Sequence, residues 1–398
     1  MPMHAPPPVD WPSIRADFML APGEIYLNNG TWSALPRPVF EAQVEWMKSA
    51  EANPTRVGAA RGGEALWRVH GLLAAYLSCA PADLVFHVNV TQALNQALFS
   101  YPWKSGGEFL IGSREYGALV NASKEAARRH GLRVRMLEVP AQPACEDELV
   151  AGILAQVGGE ARGALLSHVT TGEGLVLPVA RLAKEFRARG TILVVDGAHA
   201  PGLVPVELGN ADIDFYGGNL HKWFLGPKGA GFLYVKQERQ GVLEPRAVGW
   251  GGTPRDAVPD AQRFGGARFP HVFRIQGLHD FSAFLALEAA LRYRASLGEE
   301  RIRARVAELV AHARGRLCGE LGLKDHSPKG ALHAGLLSVQ LPEAWRGRDA
   351  GARLYERNKI TVACWPMPQG GPLVRVSPGI CNSEDDLDTL ARAIQAGP

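Results

Sequence analysis

Cysteine is scarce in this chain of 398 residues: Cys79, Cys145, Cys318, Cys364 and Cys381 are scattered, with no C-x-x-C pair and no zinc-like spacing. A disulfide framework and a metal cluster are therefore not expected, and an odd number of thiols in a chain able to build a full core predicts a reducing, cytoplasmic setting. Long apolar runs are also lacking. No stretch reaches the ~18 uninterrupted apolar residues of a membrane helix, so no membrane association is expected. Residues 1–18 carry prolines and acids where a signal peptide would have an apolar core. Charge of one sign is lacking too: the net charge is +3. With no dense basic block interleaved with aromatics, an electrostatic nucleic-acid binder is excluded. What is present is 46% hydrophobic and 21% charged residues, a globular composition that rules out a disordered tail, a collagen or a coiled-coil rod.

A chain of this length exceeds what one core usually supports, so two domains are expected. Short β-branched runs at 84–88, 109–112, 134–139, 163–169, 191–195 and 231–235 read as buried strands. Helix-like segments such as 118–130 and 179–189 lie between them, and this alternation predicts a mostly parallel α/β sheet. Past Gly277 the character changes. Two long helices are expected over 281–297 and 299–321, then strands at 335–341 and 374–376, then a helix capped by Ser383. A smaller α+β domain at the C-terminus follows. The Gly/Pro/Arg-rich stretch 248–270 reads as a long loop between the two parts.

The densest chemical signal runs from Asp212 to Gly231 and contains Asn219-Leu220-His221-Lys222 followed by a glycine-rich turn. Upstream lies Val194-Val195-Asp196-Gly197-Ala198-His199. An acid at a strand end, then a second strand and a turn bearing His-Lys, is what a pyridoxal phosphate (PLP) enzyme needs. A lysine must form a Schiff base with the aldehyde, and an acid must keep the pyridine nitrogen protonated. Either motif alone is more often a cap or a surface pair; the ordered combination points to the cofactor.

These motifs, with Tyr26-Leu27-Asn28-Asn29-Gly30-Thr31-Trp32, Asn89-Val90-Thr91-Gln92, Glu115-Tyr116-Gly117-Ala118, Ser167-His168-Val169-Thr170 and Val374-Arg375-Val376-Ser377-Pro378-Gly379, resemble class V aminotransferase-fold PLP enzymes. The similarity is greatest to their isopenicillin N epimerase-like branch, related to the cysteine desulfurases. The resemblance implies PLP fold type I: a large domain over 21–275 with a mostly parallel, seven-stranded-type sheet, and a small α+β domain over 276–398. Residues 1–20 would pack on the small domain. It also implies a homodimer with shared active sites. Carried over residue by residue, Thr91 and Gln92 would open a helix that holds the phosphate, helped by Asn219 and His221. Tyr116 would stack on the ring, Asp196 would bind its nitrogen and His199 would lie beside it. Lys222 would be the Schiff-base lysine and then the proton carrier. Arg375 would clamp the substrate carboxylate, and Asn29 and Thr31 would complete the substrate site. No metal is expected.

Departures from the family pattern matter. Cys364 stands in Val362-Ala363-Cys364-Trp365-Pro366, which resembles a structural strand end rather than the loop that carries a desulfurase nucleophile. Leu278 replaces a threonine that in relatives reaches the phosphate of the partner's cofactor, so Gln276, His279 or backbone would have to substitute. Glu173, in Thr171-Gly172-Glu173, reads as a solvated loop charge rather than an acid near the ring. The substrate is expected to be an amino acid or an amino-acid conjugate. β-Elimination of the C–S lyase type is favoured because it asks only for Lys222. Epimerisation, transamination and a decarboxylation-linked reaction stay open. A non-catalytic binding protein of this fold would be expected to have lost the lysine or the aspartate.

Overall fold

A computed structural model describes residues 9–56, 62–249, 264–274, 277 and 279–398. Its main sheet has seven strands: β1 (Leu84–His87), β2 (Glu108–Gly112), β3 (Arg133–Leu137), β4 (Ala161–Ser167), β5 (Ile192–Gly197), β6 (Phe215–Asn219) and β7 (Gly231–Val235). They lie in the spatial order β1-β7-β6-β5-β4-β2-β3. Only β7 runs antiparallel to its neighbours. The crossovers carry α1 (Val90–Ser100), α2 (Gly117–Arg129), α3 (Glu146–Leu154) and α4 (Val179–Ala188). Both faces are covered, which is why these strands read as continuous apolar runs. Phe109, Ile111, Leu165 and Val194 join the core with α1 and α2, whereas Leu110, Leu166 and Val195 join the core with α3 and α4. The expectation of a buried strand over 134–139 is corrected: β3 is an edge strand with Val134 and Met136 exposed. Its arginines protect the edge, Arg135 pairing with Glu108 at 2.8 Å.

A second, four-stranded antiparallel sheet is built from β8 (Lys324–Asp325), β9 (Leu337–Gln340), β10 (Ala363–Trp365) and β11 (Leu373–Val376), in the order β10-β11-β9-β8. Helices α5 (Leu287–Leu297), α6 (Glu299–Arg314) and α7 (Glu384–Gln395) accompany it. Ile302, Val306, Leu309 and Val310 of α6 are buried, as the 3.6-residue spacing requires. The regular helix stops at Arg314 and a wider π turn covers Gly315–Glu320, so the expected helix over 299–321 is two pieces. Ser383 caps α7 in a reciprocal box with Asp386. Near the N-terminus, Ile25–Tyr26 pairs in parallel with Ile360–Thr361, and Asn28 bridges to Ser377. Arg15 binds Asp386 at 2.7 Å and the Cys381 carbonyl at 2.8 Å. These contacts bring residues 28–31 against β11. No described helix is long and apolar enough to cross a membrane. Gln276, Leu278 and most of the expected loop over 248–270 lie outside the described residues.

Candidate active site

The chain leaves β6 into a tight turn that carries Lys222. Leu225 N–H donates to the Lys222 carbonyl (3.0 Å) and Gly226 N–H to the Leu220 carbonyl (2.7 Å). Leu225 adopts φ +65°, a costly conformation for a branched residue that survives only where the surroundings enforce it. Arg294, fully buried, supplies that enforcement. Its guanidinium donates to the Trp223 carbonyl at 2.7 Å and the Gly202 carbonyl at 3.2 Å, and Glu299 neutralises it. The turn presents Lys222 Nζ 3.0 Å from His199 Nε2. Burial pushes the Lys222 amine down to about 7, with Asp196 opposing the shift and Arg375 adding to it.

Asp196 is the last residue but one of β5, and its Oδ1 accepts the Ala198 N–H at 2.9 Å. It is buried, which raises its pKa, so a cation placed beside it would gain a strong partner. Ser167, its register partner on β4, donates both its N–H (2.9 Å) and its hydroxyl (2.6 Å) to Glu115. Glu115 is a second carboxyl at this end, half-buried, with desolvation pushing its pKa up to about 8. Its place was not legible in sequence, because nothing in Glu115-Tyr116 announces a partner 52 residues on.

The N-terminus of α1 forms the opposite wall. A Cβ on Gly217 would stand 2.8–2.9 Å from Leu94 and Val90, so glycine lets the helix close onto β6. Two of the first N–H groups are already used: Val90 donates to Asn219 Oδ1 (2.8 Å) and Gln92 to Asn89 Oδ1 (2.9 Å). Among the described residues the Thr91 N–H has no acceptor, and the buried His221 Nδ1 is also without a partner. Gln92 is not brought to this cavity. Its N–H serves the Asn89 cap, and its side chain lines a separate cleft with His87, Asn95 and Arg129. Tyr116 lines the cavity and is half exposed.

Arg375 enters from β11. Its guanidinium donates to Asn28 Oδ1 (3.1 Å), Thr31 Oγ1 (2.8 Å) and the Thr171 carbonyl (2.8 Å), and Trp365 lies 5.3 Å away across its ring face. Its buried Nε has no partner, and burial lowers its pKa to about 10. Asn28, not singled out from sequence, holds the Arg375 guanidinium but, like Asn29, does not line the cavity. The Asn29 amide is consumed by Ser377, Asn382, Ser33 and Ala34, and it does not line the cavity. Glu173 is neither a solvated charge nor an acid in the cavity: it pairs with Arg114 at 2.6 Å beneath the Thr171 loop. Cys364 also stays outside the cavity, its thiol pushed up to about 12 by burial.

These groups line one cavity of about 630 Å³, room enough for a cofactor and a small substrate. Thr31, Thr91, Tyr116, Asp196, His199, Asn219, His221, Lys222 and Arg375 all face it. A buried carboxylate at one wall, unpartnered N–H and imidazole groups at another and an amine between them fit PLP. The three features match its ring nitrogen, phosphate and aldehyde. The family model for aminotransferase class-V matches residues 25–390. Isopenicillin N epimerase of Amycolatopsis lactamdurans is 36% identical over 97% of this chain and 98% of that protein. Hercynylcysteine sulfoxide lyase of Schizosaccharomyces pombe is 24% identical over 83% of each. Among solved structures, the cystine C–S lyase C-DES in complex with cysteine persulfide superposes with a TM-score of 0.83 at 23% identity. The match covers 94% of this chain and 98% of that one, a likeness of fold. The chain belongs to the class V aminotransferase family. It is a PLP-dependent enzyme of fold type I.

Proposed function

We propose that the enzyme acts at Cα of an amino acid or amino-acid conjugate whose carboxylate is gripped by Arg375, with Lys222 as the covalent anchor and proton carrier. When bound, PLP withdraws electron density from the bonds around the substrate's Cα. Asp196 would keep the proton on its ring nitrogen. Thr91, Asn219 and His221 would hold its phosphate, with Tyr116 and His199 available to the ring. Lys222, its amine easily made neutral, takes the Cα proton at Nζ and returns or passes it on. The reading favoured is β-elimination from a cysteine-type conjugate. The Cα–H and Cβ–S bonds break and the sulfur leaves with its electron pair as a thiol. With one water consumed, a 2-oxo acid and ammonia are released.

One observation carries this: among the described residues, Lys222 is the only lysine lining the cavity, and one-base elimination needs nothing more. None of the five cysteines lines it, so a desulfurase-type thiol has no candidate. Epimerisation is the second reading, favoured by 36% identity to an isopenicillin N epimerase over nearly the whole chain. The test incubates the cofactor-loaded protein with S-substituted cysteines and with a panel of L-amino acids, and the products are identified by mass and chiral analysis. Thiol with a 2-oxo acid supports elimination, whereas a D-isomer without either overturns it. The proposal includes a homodimer, which light scattering of the loaded protein would test.

A further inference from the structure

The turn that carries Lys222 places a tryptophan immediately after it. The Trp223 indole N–H lies 3.2 Å from His199 Nδ1, on the far side of the imidazole from Lys222. An indole N–H can only donate, so Nδ1 must be an unprotonated acceptor. A neutral imidazole with a bare Nδ1 carries its proton on Nε2. The neighbours of Nε2 are Lys222 Nζ and Thr171 Oγ1, both at 3.0 Å. An Nε2–H pointed at Nζ needs a lone pair there, which an ammonium lacks.

We propose that Trp223 is a positioning residue that fixes His199 as the Nε2–H tautomer and thereby presents Lys222 to the cofactor as a free amine. The proposal rests on the reading of Lys222 as the cofactor's anchor. The charges around the pair agree with it. Burial holds the His199 pKa well below the usual histidine range, and Arg375, His221 and, whenever it is charged, Lys222 also oppose an imidazolium. Lys222 is faced by Asp196, which favours its charge, and by Arg375, which opposes it; burial dominates. Trp223 is itself fixed, buried with its carbonyl bound to Arg294. A neighbouring phenylalanine would fill much of the same space but could not choose a tautomer.

The test uses the full-length protein labelled with ¹⁵N-histidine, without and with cofactor, and reads the two ring nitrogens by long-range ¹H–¹⁵N correlation. His199→Asn identifies the signals. The expected result is a pyridine-type Nδ1 and a pyrrole-type Nε2 that persist below the pH at which ordinary histidines titrate. In Trp223→Phe the tautomers should mix. The acylation rate of Lys222 at pH 7 in cofactor-free protein should fall about twofold to fivefold, equivalent to an upward shift of roughly half to one pKa unit from a starting value of about 7. An Nδ1–H tautomer or an imidazolium in the unaltered protein at neutral pH overturns the proposal, even if the variant fails to fold. So does a Trp223→Phe protein with an unchanged tautomer and unchanged Lys222 titration. Neither readout uses a substrate, so an error about the reaction leaves it intact. A cofactor adduct mapped to a different lysine would instead overturn the anchor reading alone.

Discussion

The two halves of the active site are made differently. The half assigned to the cofactor is built on one sheet and its crossovers: Asp196 lies near the end of β5, Asn219 ends β6, Lys222 sits in the turn that follows, and Thr91 and Tyr116 stand at the N-termini of α1 and α2. Parallel neighbours in register bring strand ends together, which places the Asp196 and Asn219–Lys222 motifs side by side. The clamp half draws on three remote segments, since Arg375 of β11 is held by Asn28, Thr31 and the Thr171 carbonyl. Its geometry depends on how the second sheet and the N-terminal strand dock. On the proposed roles, damage to the first half should stop chemistry, and damage to the second should weaken binding.

The largest effect is expected from Lys222→Ala. Removing both the anchor and the proton carrier should lower turnover by ~10³-fold or more, with the fold intact by circular dichroism. Borohydride treatment of the loaded protein should leave the cofactor on the peptide containing Lys222. An adduct on another lysine would break the comparison at its root. Asp196→Asn comes next. A charge-assisted hydrogen bond worth about 1.5–3 kcal/mol implies a fall in kcat of roughly 10- to 150-fold. The substrate KM should stay nearly constant, because Asp196 is assigned to the cofactor half. An altered KM at unchanged kcat would place it with the clamp instead.

The same contrast explains what could be read beforehand. The sheet strands were legible because burial on both faces leaves apolar runs, and the Asp196 and Lys222 motifs because they are contiguous. β3 was misread because Val134 and Met136 look apolar while its edge position shows only in three dimensions. That Asn89 takes the Gln92 N–H could not be read from the sequence. Asn28 and Asn29 are adjacent asparagines, and which of them faces Arg375 is decided by contacts 344–353 residues away in the chain. Trp223 passes as an ordinary core aromatic until its N–H is seen on His199.

On the clamp side, Arg375→Lys keeps a charge but loses the planar fork that Thr171, Asn28 and Thr31 orient. The expected result is a KM raised about tenfold with kcat lowered much less. Comparing an amino-acid substrate with its decarboxylated amine sharpens this. The unaltered enzyme should prefer the acid by a wide margin, and the variant should lose most of that margin. Equal preference in the unaltered enzyme would make Arg375 structural.

The smallest effect tests whether the clamp can be loosened from beneath without being touched. Arg114 and Glu173 form a largely buried pair, with side chains 23% and 18% exposed, and Thr170 Oγ1 also reaches Glu173 at 3.3 Å. The pair braces the loop whose Thr171 carbonyl accepts from Arg375. Glu173→Gln preserves size and one acceptor but leaves Arg114 without its counter-charge. At this intermediate burial the expected loss is about 1–2 kcal/mol, between the values for surface and buried pairs. In a chain of 398 residues that is a drop in melting temperature of only a few degrees. If the brace transmits to the clamp, KM should rise about two- to threefold while kcat holds, because a carbonyl shifted by a fraction of an ångström costs binding geometry rather than proton transfer. A fall in kcat with constant KM would instead tie the loop to the cofactor half through the Thr171 hydroxyl on His199.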